Sequence, residues 1–219
     1  MSDLLSCAFT GHRPEKLPCG NDEQHPACLS IKAAILRQIE RLYDQRGVKH
    51  FITGGAIGVD QWAAEAVIAF REAHPDVSLT IAVPFRGQAD KFTPEQKKQY
   101  ERTLHKANSV IVLREQYSSN CFFKRNDYMV EHASILVAVY DRSSQVRSGT
   151  GYTVNKAVSK QRNIIFIDPK TQAISSEGIL YIYVFSCPAT YSAATCFSEL
   201  LDISISNIRF FLLSAYIHF

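Results

Sequence analysis

Two hydrophobic patterns alternate along the first 170 residues. Short unbroken apolar runs recur at Leu4–Thr10, Val48–Thr53, Val77–Val83, Ser109–Leu113, Ser134–Tyr140 and Asn163–Ile167. Runs of this length without polar alternation predict strands buried on both faces. Between them the apolar positions fall at helical spacing. Ile31, Ile35, Ile39 and Leu42 make one stripe; Val59, Trp62, Ala63, Ala66, Val67 and Phe70 make a second.

The punctuation agrees with this alternation. Ser30 is placed to cap the first helix and Gly47 to end it. His74-Pro75 closes the second. Thr93-Pro94-Glu95-Gln96 supplies an N-cap, a first-turn proline and a capping-box glutamine for a third. Arg125–His132 reads as helical, and the Gly149–Gly151 loop opens a further helix before the last short strand. The predicted fold is α/β: a Rossmann-like, doubly wound, mainly parallel sheet with helices on both faces and right-handed crossovers.

Residues 1–170 complete this pattern as one domain, and 171–219 form a divergent tail. From Gln172 onward only Glu177, Glu199, Asp202 and Arg209 are charged, while aromatic residues crowd in. The tail shows neither turn grammar nor a strong amphipathic helix. An extension packed on the domain, a contact in a homo-oligomer, and a segment outside the fold all stand open for it.

Composition narrows the function classes. A 219-residue chain that is 46% hydrophobic and 21% charged is globular rather than disordered. The net charge of +3 comes with no dense Lys/Arg block, which argues against a nucleic-acid partner. No apolar run is long enough for a bilayer, so no membrane partner is expected. Met1-Ser2-Asp3 lacks a signal-peptide n-region, and the 6 cysteines include no CxxC pair. A reducing cytoplasm is therefore the expected setting. Cys19, His25 and Cys28 are too few and too irregular for a tetrahedral zinc site, so neither metal nor cofactor is called for.

In such a sheet, ligands bind beyond the carboxyl ends of the strands. Those ends carry Gly11-His12-Arg13-Pro14, Gly54-Gly55-Ala56-Ile57-Gly58-Val59-Asp60, Pro84-Phe85 and Ser148-Gly149-Thr150-Gly151. Glycines permit positive φ and close ligand approach, and helix-start N–H groups favour phosphate. Asp60 can cap its helix, hold a ribose hydroxyl, or do both. Arg13 offers a donor fork for phosphate or a surface ion pair, and His12 can donate or transfer a proton. Arg125 and Asn126 either face the site or form a solvated helix start. Each loop taken alone is also explained as a tight turn. Several at one sheet edge favour a ligand site lined by Gly11, His12, Arg13, Gly54, Gly55, Gly58, Asp60, Pro84, Phe85, Arg125, Asn126, Gly149, Thr150 and Gly151.

Taken together, GHRP at 11–14, TGGAIGVDQWAAE at 53–65, PF at 84–85, RNDYMV at 125–130 and SGTGYTVNKA at 148–157 resemble the YpsA-like branch of the SLOG superfamily. The resemblance spans about residues 5–168 in order and spacing. It implies a Rossmannoid fold that binds nucleotides or nucleotide-derived ligands. Relatives in the wider superfamily include the LOG-type phosphoribohydrolases and the DNA-processing protein DprA. Arg125 through Met129 fit the LOG RxxxM-type element. The PGGxGTxxE element is not matched: Thr153 stands where its glutamate belongs, and Arg147-Ser148 replace its glycine pair. Asp127 and Glu131 lie nearby in sequence without a role assigned to them.

Binding thus carries over better than catalysis. The expectation is a nucleotide-binding module acting as sensor or regulator. The alternative is a LOG-like nucleoside 5′-monophosphate phosphoribohydrolase using Arg125 as its catalytic candidate.

Overall fold

The computed structural model of the chain describes residues 5–142 and 148–178. The strands are β1 (Ser6–Gly11), β2 (His50–Thr53), β3 (Ser78–Val83), β4 (Ser109–Val112), β5 (Ile135–Val139), β6 (Asn163–Ile167) and β7 (Ile174–Glu177). The α-helices are α1 (Pro26–Arg46), α2 (Val59–Arg71), α3 (Pro94–Lys106), α4 (Cys121–Glu131) and α5 (Gly149–Ser159). They build one sheet in the order β4-β3-β2-β1-β5-β6-β7, parallel except where β7 runs antiparallel to β6. This is the α/β, Rossmann-like architecture expected.

The strand order reverses between β1 and β5. The chain walks outward from β1 to β4, then returns to lay β5 along the other side of β1. Loops leaving these two strands diverge to opposite faces, which opens a crevice at their carboxyl ends.

Alternation along each strand divides the core. Cys7 and Phe9 point into a large cluster with α1 and α2 residues such as Ile35, Ile39, Trp62 and Val67. Ala8, Ile52, Ala82 and Ala138 face the opposite cluster with Met129, Val130, Val154 and Ala157 from α4 and α5. Alanines in the strands let α4 and α5 come close to the sheet.

Several boundaries differ from expectation: α4 begins at Cys121, one turn before Arg125, and α2 ends at Arg71, short of His74-Pro75. Helix α1 begins at Pro26 instead of being capped by Ser30; His25 is its N-cap, its Nδ1 accepting the Ala27 N–H at 3.1 Å. Proline supplies the helical φ and lacks an N–H to leave unpaired, so it sets the start earlier. Gly47 does end α1, at φ 64°. Thr93 and Gln96 form the expected capping box on α3.

Strand β7 was not expected: it follows the strand read as the last one and sits beyond residue 170. Its alternating Ile-Ser-Ser-Glu sequence is half-buried throughout, as suits an edge strand. The remainder of the tail, from 179 on, lies outside the described residues, as do Leu4 and Arg147. No described helix is long and apolar enough to cross a membrane.

Candidate functional site

Helix α2 starts after Gly58, which places Asp60 in its first turn; α4 starts at Cys121, which places Arg125 one turn in. The two side chains meet beneath the end of β2. Arg125 Nη1 donates to Asp60 Oδ2 at 2.9 Å, with both side chains only 9% exposed. Arg125 Nε donates to Asn126 Oδ1 at 2.8 Å. Asp60 Oδ2 also accepts the Ala56 N–H at 3.3 Å. The carboxylate therefore serves the loop before the helix and the buried guanidinium, and does not cap α2, whose N-cap is Gly58. Burial pushes the Asp60 carboxyl above its ordinary value, while Arg125, the Ala56 N–H and Arg13 pull it back.

The glycines at 54 and 55 have different reasons. A Cβ on Gly54 would stand 1.4 Å from Arg125 Nη1 and 2.6 Å from Asp60 Oδ2. The close approach that this glycine permits is by the protein's own cation. Gly55 has φ 64°, which L side chains rarely adopt. Two glutamines pin this turn: Gln88 Nε2 donates to the Gly54 carbonyl at 3.3 Å and Gln61 Nε2 to the Gly55 carbonyl at 3.2 Å.

Across the crevice, α5 is tied to β1 and α4. Thr150 Oγ1 donates to the Gly11 carbonyl at 2.8 Å, and Asn126 Nδ2 to the Gly149 carbonyl at 3.4 Å. Ser148 caps α5 by accepting the Gly151 N–H at 3.0 Å. His12 is buried, its ring 5.2 Å from that of Tyr140. Burial, then the Lys16 charge, hold its pKa below the ordinary 6.5, against an opposing pull from Asp141. Arg13 is exposed and lies over the Phe122 ring, 5.7 Å from Cζ to centroid.

On the β3 side, Pro84 is buried and Phe85 half-buried. Phe85 meets Phe122 at 6.0 Å and Tyr117 at 5.4 Å, both edge-to-face. Every residue expected at the site thus falls at the carboxyl edge of the sheet or at the helix starts facing it. Hydrogen bonds join Gly11, Gly54, Gly55, Asp60, Arg125, Asn126, Gly149, Thr150 and Gly151 to one another or to their neighbours; Arg13 and Phe85 meet at Phe122.

The carboxylates near Arg125 are otherwise engaged. Asp127 accepts from Tyr152 Oη at 2.9 Å and pairs with Lys156 at 3.3 Å. Glu131 is exposed, 3.8 Å from Lys156. Thr153 is fully buried and donates to the Gly149 carbonyl at 2.9 Å.

Sequence reasoning missed Gln61, Gln88, Tyr117, Phe122 and Tyr140. Phe122 precedes Arg125 by one helical turn, so the shared face was readable. Gln88 sits in an irregular loop with no periodic signal. Two open grooves also lie on the surface. One, about 310 Å³, lies on the α2–α3 flank between Glu65 and Arg102, away from these residues. The other, about 250 Å³, borders the crevice at Tyr140 and Asp141.

Comparison with known proteins sets this geometry in a family. The YspA SLOG family model matches residues 7–171. The SPbeta prophage-derived protein YoqJ of Bacillus subtilis (strain 168) is 35% identical over 146 residues, covering 61% of this chain and 84% of that protein. A UPF0398 protein of Bacillus thuringiensis (strain Al Hakam) is 30% identical over 159 residues, covering 72% and 84%. Among solved structures, TM1055 aligns with a TM-score of 0.45 at 14% identity, over 72% of this chain and 71% of its own. DprA from Streptococcus pneumoniae aligns at 0.49 and 17% identity, over 75% and 50%. DprA from Helicobacter pylori, described with its single-stranded DNA binding mode, aligns at 0.49 and 18% identity, over 76% and 66%. With the family model spanning the whole crevice and the UPF0398 relative covered over most of its length, the chain belongs to the YspA SLOG family.

Proposed function

We propose that the chain binds a nucleotide or nucleotide-derived ligand at the carboxyl edge of its sheet, as a sensor or regulator. One observation carries this reading: Arg125 is spent on the buried carboxylate of Asp60 at 2.9 Å, while Arg13 stands exposed on the loop after β1, over the Phe122 ring. The buried pair is close to neutral as a unit, so Arg13 leaves positive charge at the mouth of the crevice. Helices α2 and α5 begin at the same edge, and their first N–H groups add to the attraction for an anion. Gly149, at the start of α5, has open space where a Cβ would stand.

Glycosidic hydrolysis is the weaker reading. It needs a carboxylate to stabilise the developing cation or activate water. Asp60 is held by Arg125, Asp127 by Tyr152 and Lys156, and Thr153 offers a hydroxyl in the glutamate's place.

Calorimetric titration with AMP, GMP, CMP and UMP tests the proposal. Saturable binding of at least one, weakened by Arg13→Gln, is the expected result. Absence of binding across the panel, or affinity unchanged by Arg13→Gln, would overturn it.

A further inference from the structure

Three aromatic rings from three separate elements gather at the outer lip of the crevice. Phe85 follows β3, Tyr117 lies in the β4–α4 loop, and Phe122 occupies the first turn of α4. Phe85 is the centre, meeting Tyr117 at 77° and Phe122 at 83° between ring planes. Core packing does not account for the group: Tyr117 is 64% exposed, and Phe85 and Phe122 are only half-buried. A singly exposed tyrosine is ordinary, but a cluster beside a charged crevice marks a contact surface.

We infer that Phe85, Tyr117 and Phe122 form a base-stacking shelf, so that the ligand is a mononucleotide held by its base as well as by its phosphate. The inference rests on the nucleotide reading above and deepens it. The chemistry of the lip selects the occupant. Arg13 already lies over the Phe122 face, so the shelf accepts a flat, delocalised group there. The segment that carries Arg13 packs on the start of α2, where a Cβ on Gly58 would stand 3.0 Å from Pro14 Cδ and 3.4 Å from the His12 carbonyl oxygen. Arg13 therefore stands between an aromatic surface and the anion-attracting edge. A ligand matching both has a planar π-system on one side and negative charge on the other, which describes a nucleoside phosphate. An acyl chain would match the rings but leave Arg13 unused, and a sugar phosphate would match Arg13 but leave the rings bare. Arg86 and Glu115, paired at 2.7 Å on the adjoining rim, add little net charge.

The test compares AMP with ribose 5-phosphate, which lacks the base. Stacking on an aromatic side chain is worth roughly tenfold or more in affinity per base. The full chain should bind AMP at least tenfold more tightly than ribose 5-phosphate. Tyr117→Ala, an exposed change that spares the core, should erase part of that advantage. Phe122→Leu, which keeps apolar bulk but removes the π-face, should erase most of it. Affinity for ribose 5-phosphate should stay unchanged in Tyr117→Ala, since Arg13 lies over Phe122. Equal affinities for the two ligands in the unmodified chain would overturn the shelf while leaving an anion site standing. Parallel losses for both ligands in Tyr117→Ala would do the same. If neither bound, the shelf and the nucleotide reading would fall together. Much tighter binding of an oligothymidylate, lost in Phe122→Leu, would overturn the mononucleotide in favour of single-stranded nucleic acid.

Discussion

Asp60 and Arg125 lie 65 positions apart in the chain, yet their side chains meet at 2.9 Å in a buried ion pair directly under the Gly54 backbone. This contact joins α2 to α4 across the end of β2 and so fixes the relative position of the loops around the crevice.

Breaking one partner should cost more than removing both. A lone buried charge left after loss of its partner typically destabilises by about 3–5 kcal/mol. Arg125→Met is therefore expected to lower stability strongly, with much of the loss recovered in Asp60→Asn/Arg125→Met. Urea denaturation of Arg125→Met, Asp60→Asn and the double variant measures this. A double variant as unstable as the sum of the singles would show that the pair is not coupled.

Gly54 and Gly149 should respond differently to alanine. At Gly54 the added methyl collides with the Arg125 guanidinium, whereas at Gly149 nothing lies within 4 Å. Overpacking of this kind typically costs ~1–3 kcal/mol. Thermal unfolding should show Gly54→Ala clearly destabilised and Gly149→Ala close to the parent. Nucleotide affinity should fall in Gly54→Ala, since the guanidinium must move.

His12 gives a pH dependence of fixed sign. Its folded pKa lies below the ordinary 6.5, so the unfolded chain takes up the proton more readily. The stability tied to neutral His12 is complete above about 6.5 and is lost as the pH falls toward the lowered folded value. Stability of the parent relative to His12→Gln, which does not titrate, should therefore decline below that pH. A difference that stayed flat or rose on acidification would contradict the burial of the imidazole.

Catalysis is expected to be absent. A positioned acid–base group contributes typically ~10²–10⁴-fold in rate, and the carboxylates Asp60 and Asp127 are both engaged in ion pairs. Chromatography after incubation with AMP should show adenine at the uncatalysed level. Rapid base release that disappears in Arg125→Ala would establish a hydrolase. Installing Thr153→Glu is a poor rescue, because the carboxylate would be buried against the Gly149 carbonyl.

Strand β7 covers the outer edge of β6 through its pairing of Ile164–Ile167 with Ile174–Glu177. Of two shortened chains, the one ending after Lys170 should melt earlier than the one ending after Gly178 and associate through its bare edge. Identical transitions for both would make β7 an ornament of the sheet.

By itself, the sequence determined the fold class and the edge on which the candidate site lies. Continuous apolar runs at 6–11, 50–53 and 135–139, set between helical stripes, suit only strands covered on both faces, and chain chirality then sends the loops after β1, β2 and β5 to one side. Local capping was equally readable at Thr93 and Gly47, because it depends on a few adjacent residues. The start of α1 and the existence of β7 were not, since Pro26 competes with Ser30 and β7 is held only by its pairing with β6.

Within the site, sequence named Gly54, Asp60 and Arg125 but not their relation. A glycine that admits a ligand and one that admits an arginine are the same letter, and only tertiary structure shows which atom lies above it. The same holds for Asp60, whose position near a helix start suggested a cap. Burial and the distant Arg125 made it an ion-pair partner instead. Gln88 and the rings of Phe85, Tyr117 and Phe122 come from segments with no shared period. Their convergence was decided by strand order, which brings the ends of β2, β3 and β4 side by side.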